Sequence, residues 1–104
     1  MNDIAARARQ AEALWAQADR AMAAANHADA YRLYTEAHDL VTDCPDLHRR
    51  SHERLQVINR LTGNWREYLG DRFLLLTAPL GVFQLVAFFL RSRVIGSELC
   101  RCAA

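Results

Sequence analysis

Residues 73–90 read FLLLTAPLGVFQLVAFFL, a run of 18 residues without a charge, bounded by Asp71 and Arg72 before it and by Arg91 and Arg93 after it. As one helix at 1.5 Å per residue the run would be about 27 Å long, close to the thickness of a bilayer's hydrocarbon core. Nothing else in the chain constrains the fold as tightly, because such a helix must be taken up by a membrane or covered on every side by other helices. Leu, Val and Phe supply 12 of its residues, and Thr77 and Gln84 are uncharged and able to bond within a helix or across to a neighbour. Cover in water would require broad apolar faces on the preceding helices, and these have only narrow, Ala-rich stripes. The expectation is a membrane-spanning helix over 73–90, preceded by a helical interaction domain over 1–72 and followed by a short basic tail over 91–104. Pro79 and Gly81 predict a kink or break near Ala78. Together with Gln84 they mark a side of the span on which partner helices pack.

The preceding sequence is helical throughout. From Ala5 to Ala25 the residues are strong helix formers, with Leu14, Ala18, Ala21 and Ala25 along one stripe. Asn26 and His27 interrupt this pattern. A second helix follows from about Asp29, with Ala30, Leu33, Tyr34, Ala37, Leu40 and Val41 at helical spacing. So short a break folds the pair into an antiparallel hairpin. Pro45 suits the first turn of a third helix, whose inward face is expected to be Leu47, Ser51, Leu55, Ile58 and Leu61 before the Gly63-Asn64 stop. Trp65, Tyr68, Leu69 and Phe73 share one face of a fourth stretch that runs into the apolar segment.

Composition removes several function classes. The formal charge of +1 comes from 13 basic and 12 acidic residues without a one-sided field, so nucleic acid is not an expected partner. All the basic side chains of fixed charge are Arg, a bias expected of a GC-rich, bacterial genome. The first 20 residues hold no signal-peptide core, and Cys44, Cys100 and Cys102 have no framework spacing, which fits a reduced cytoplasmic setting. Arg60, Arg66 and Arg72 before the apolar run balance Arg91, Arg93 and Arg101 after it, so charge leaves the orientation open. The absence of an export signal favours a cytoplasmic N-terminal domain.

The hairpin over 11–45 resembles a tetratricopeptide repeat, through Leu14, Ala18 and Ala21 in its first helix, Ala25 at the turn, Ala30, Tyr34 and Ala37 in the second helix, and Pro45 at its end. His27 stands where that family has Trp or Tyr, Gln17 where it has a large apolar residue, and Pro45 falls about three residues late. The stretch AANHADAYRLYTEAHDL also resembles the three-helix microtubule-interacting-and-trafficking domain. A degenerate second copy can be laid over Gly63–Tyr68, 38 residues after Ala25–Ala30. What the resemblance implies is binding to another protein without catalysis, with Leu14, Ala18, Ala21, Ala30, Tyr34 and Ala37 as helix-packing residues. Because such repeats normally stack, it also implies apolar surface left for a partner.

Cys44, His48 and His52 are spaced by four residues, as metal ligands on one helix face can be. The neighbouring Arg49, Arg50, Glu53 and Arg54 instead point to a solvated flank, and no metal is expected there. Cys100 and Cys102 could bind metal, sense oxidants or carry a lipid, with a tail of incidental thiols as the simpler alternative. No phosphate loop, nucleophile-base pair or paired apolar carboxylates occurs. The expectation is a non-enzymatic protein without cofactor, binding other protein subunits rather than a small-molecule substrate, as an accessory or assembly subunit of a membrane complex. Two alternatives are a soluble adaptor that buries its apolar end in an oligomer, and a small metal- or redox-responsive protein.

Overall fold

The computed structural model describes residues 4–91, so Cys100 and Cys102 lie outside the described residues. Every element within this range is helical: α1 (Ile4–Ala23), α2 (His27–Leu40), α3 (Pro45–Thr62), α4 (Trp65–Thr77), a one-turn 3-10 segment (Ala78–Leu80) and α5 (Val82–Arg91). The protein is all-α, as its periodicity predicts.

Small residues set the distance between α1 and α2. Ala11 and Ala18 of α1 and Ala30 and Ala37 of α2 are fully buried, so the two backbones approach closely, with Leu14, Trp15, Leu33 and Tyr34 filling the seam. Ala21 is half-buried against the same core. The turn is made by Ala25 in the left-handed region (φ 58°) and by Asn26, whose side chain accepts from the Asp29 N–H to cap α2. Arg7 closes the far end of the hairpin. It donates twice to the Asp43 carboxylate, each at 2.9 Å, and once to the Leu40 carbonyl at 3.1 Å.

Within the hairpin, the buried Tyr34 hydroxyl donates to Asp19 at 2.5 Å. Burial, and then this carboxylate, hold the phenol proton well beyond its ordinary range. A tyrosine pKa raised in the folded state adds stability that is present below the unfolded value near 10 and lost as pH climbs past it. Tyr34→Phe is therefore expected to cost about 1–2 kcal/mol at pH 8 and to lose less on transfer to pH 11. Denaturant titrations at the two pH values check both parts.

α3 lies against the hairpin through Leu47, Ser51, Leu55 and Ile58. Leu61, expected on this inward face, is 58% exposed, and the buried residues of α3 end at Ile58 and Asn59. Arg54 and Arg50 place their guanidinium carbons 4.1 and 5.3 Å from the centre of the Trp15 ring, a cation–π lid over an indole at the edge of the core. Gly63 ends α3 in the left-handed conformation (φ 73°) that favours glycine.

The 18-residue apolar run is not one helix. Its first five residues complete α4, the 3-10 turn at Pro79 follows, Gly81 turns left-handed (φ 91°), and α5 departs at 91° to the preceding helix. Proline and a positive-φ glycine two positions apart allow no continuous α-helix, so the expected kink or break is a right-angled corner. Among the described residues no single helix is long and apolar enough to cross a membrane, whereas Trp65–Leu80 and Val82–Leu90 pass that test as a bent pair. The expected boundary between residues 72 and 73 falls inside α4.

Candidate functional site

Two features stand side by side on the face away from the α1–α2 seam. The first is a histidine cluster between helices. His48 and His52, one turn apart on α3, meet His38 from the last turn of α2 across the interface that the Val41–Cys44 turn creates. The three Nε2 atoms converge, with His38 at 3.0 Å from His48 and 3.2 Å from His52, and His48 at 3.2 Å from His52. No group other than these three among the described residues brings three His, Cys, Asp or Glu ligand atoms to one point.

The outer ring nitrogens are fixed in different ways. His52 Nδ1 donates to Asp71 Oδ1 at 2.6 Å, and the other oxygen of Asp71 accepts from Asn59 Nδ2 at 2.8 Å. Asp71 is 4% exposed and is the one buried residue of α4, so this carboxylate fastens α4 to α3. His38 Nδ1 bonds Asp39 Oδ1 at 3.0 Å on the open side. His48 Nδ1 is buried and has no hydrogen-bond partner. Burial first, and then the neighbouring His38 and His52, push the His48 pKa down to about 3, so that ring is neutral at ordinary pH.

Phe83 of α5 covers the cluster. Its ring, 2% exposed, stands edge-on to His48 at 4.9 Å and tilted over His52 at 5.8 Å. On the opposite side a cleft of about 320 Å³ between α2 and α4 reaches His38 and His52 past Asp39, Glu67 and Asp71.

The second feature is the outer surface of the bent pair. Leu69, Phe73 and Leu76 on α4, Leu80 at the corner, and Leu85, Phe88 and Phe89 on α5 are each more than half exposed. Trp65 and Tyr68 pack edge to face at 5.5 Å where α4 begins. The Thr77 hydroxyl donates to the Phe73 carbonyl at 2.8 Å and so is satisfied within its own helix.

The residues singled out from sequence therefore fall in three places. Leu14, Ala18, Ala21, Ala30, Tyr34 and Ala37 meet in the hairpin seam. Pro79 and Gly81 form the corner, with Gln84 exposed in the first turn of α5. His48 and His52 come together as their spacing allows, but in an interior cluster rather than on a solvated flank: the Arg side chains around them diverge, with Arg50 and Arg54 turned to Trp15. Cys44 is buried as the N-cap of α3 and is not one of the converging ligands. The residues missing from the sequence reading are His38, Asp71 and Phe83. His38 and Asp71 are 10 residues before His48 and 19 after His52, across helix junctions that no local spacing rule bridges.

No known protein family, no curated protein and no solved structure matches this chain. It is an all-α protein with an interhelical histidine cluster and an apolar helix pair turned outward.

Proposed function

We propose that this protein is a non-enzymatic, membrane-attached accessory or assembly subunit. In this reading the α1–α2 hairpin, with the small-residue seam of a tetratricopeptide-like unit, serves as a docking module for another protein. The observation that carries the proposal is the inverted polarity of α4. The one buried side chain of this helix is a carboxylate, Asp71, while Leu69, Phe73 and Leu76 face outward beside Arg66, Glu67 and Arg72, whereas a helix on the surface of a water-soluble bundle buries its large apolar residues. Such a surface suits hydrocarbon or the helices of a membrane partner. Arginines at both ends of the uncharged run, and Trp65 and Tyr68 before it, suit the headgroup region.

The 91° corner supports a broken span or re-entrant element in place of the straight span that the run suggests by length. A soluble adaptor that covers the same face with a second copy is the competing reading, and fractionation separates the two. The native protein is expected to stay with membranes through alkaline carbonate and to leave them in mild detergent. Recovery in the supernatant after carbonate alone, as a defined oligomer, would establish the soluble reading instead. With the bulk of the chain in the cytoplasm, an N-terminal epitope is expected to resist protease added to sealed right-side-out vesicles.

A further inference from the structure

We propose that His38, His48 and His52 bind one divalent transition-metal ion of zinc-like ligand preference through their three Nε2 atoms, a site that does not depend on membrane attachment.

The first support is geometric. Tetrahedral coordination with metal–nitrogen bonds of about 2.05 Å places ligand nitrogens about 3.3 Å apart. The three separations here, 3.0, 3.2 and 3.2 Å, need to open by only a few tenths of an ångström. The fourth position is left to water or another donor.

The second support is proton arithmetic. An ionised carboxylate only accepts hydrogen bonds, so Asp71 and Asp39 hold the protons of His52 and His38 on Nδ1. The Nε2 lone pairs of these two rings then face one another at 3.2 Å with no hydrogen between them. His48 has one proton to offer. On Nε2 it can serve one neighbour and leaves the buried Nδ1 an orphan acceptor; on Nδ1 it serves none and leaves an orphan donor. An added proton would bridge one pair of the three. A cation at the centre satisfies all three Nε2 lone pairs at once, with the His48 proton held on its buried Nδ1.

The third support lies around the ligands. Asp71, itself held by Asn59, makes with His52 the carboxylate–histidine arrangement that orients metal-bound imidazoles and raises their basicity. It also leaves a buried carboxylate in need of a counter-charge, which a divalent ion behind His52 supplies. The cleft between α2 and α4 opens onto His38 and His52, with Asp39 and Glu67 among its lining residues, and Phe83 covers the cluster from α5. An all-imidazole donor set suits zinc, copper, nickel or iron and not calcium or magnesium.

The test uses the full chain in mild detergent, free of any affinity tag and stripped with a chelator. Titration with Co²⁺ is expected to give visible absorption of four-coordinate character that saturates at one equivalent and is abolished by Zn²⁺. His38→Gln, His48→Gln and His52→Gln are each expected to weaken binding by more than about 100-fold. Asp71→Asn, which acts through His52, is expected to weaken it about 10–100-fold while keeping a shifted Co²⁺ spectrum. His38 sits at the open edge of the cluster, so His38→Gln keeps the test valid if the α3 variants misfold, with far-UV circular dichroism as the check. Folded wild-type protein that takes up no stoichiometric Co²⁺ or Zn²⁺, or affinity unchanged by His38→Gln, overturns the proposal.

Discussion

Phe83→Ala is expected to free α5 while leaving the rest of the bundle folded. Within α5, Phe83 and Ala87 are the buried residues, and the Phe83 ring provides the contact with His48 and His52 that seats the helix on α3. Truncating a buried phenylalanine costs about 3–5 kcal/mol, more than the remaining contacts of so short a helix can offset. Free energy of opening appears locally in amide exchange, and each 1.4 kcal/mol is about a factor of ten. Exchange across α5 should therefore accelerate by about 100-fold or more, with the α1–α2 seam unchanged. Leu85→Ala, at a position 55% exposed on the same helix, should leave exchange in α5 near wild type. Equal acceleration in α1 and α2 would show that Phe83 supports the whole core instead.

The chelator-stripped protein is expected to lose stability on acidification between about pH 6.5 and pH 4. His48 has its pKa pushed down to about 3 in the fold, against an unfolded value near 6.5. The unfolded chain therefore binds a proton in this window that the folded chain refuses, and stability falls as pH falls, by up to about 1.4 kcal/mol per pH unit from this group alone. The titratable groups facing His48 are His38 from α2 and His52 on α3, which bond in turn to Asp39 and to Asp71 of α4; α5 contributes the uncharged Phe83. His48→Leu keeps a comparable volume and removes the proton site, so urea titrations from pH 7 to pH 4 should show a shallower decline in the variant. An identical decline in both proteins would place the acid sensitivity elsewhere.

How far the sequence foretells this molecule depends on how local the determining contacts are. The hairpin is legible because its seam is written at helical spacing in Ala11, Leu14, Ala18, Ala30, Tyr34 and Ala37, and because Asn26 and Pro45 punctuate it. The corner at Gly81 is legible for the same reason: Pro79 and Gly81 act on their own backbone. Leu61 is misjudged because periodicity gives the direction of a face and not where along the helix its burial ends. The histidine cluster is half legible. The four-residue step from His48 to His52 is visible, but His38 joins only because the α2–α3 turn brings two helix ends together. The Arg-rich neighbourhood of His48 suggests solvent because its members leave in other directions, two of them to shield Trp15. Asp71 reads as the last charge before an apolar run, and its inward role follows only from the way α4 lies on α3.

The manner in which α4 is fastened bears on how this protein should be handled. Its inner side offers Leu74 and Leu75 half-buried, while its specific anchors are polar: Asp71 to Asn59 and His52, and Glu67 accepting from Tyr31 at 2.6 Å. Hydrophobic association weakens when the surrounding medium is itself hydrocarbon, but hydrogen bonds strengthen as the local dielectric falls. The grip of α4 on α3 should therefore be firmer in a lipid-like solvent than in plain buffer, the opposite of what holds for the alanine seam between α1 and α2. One chain then contains two kinds of joint with opposite solvent preferences, and extraction into water is expected to loosen the joint beside the histidines first.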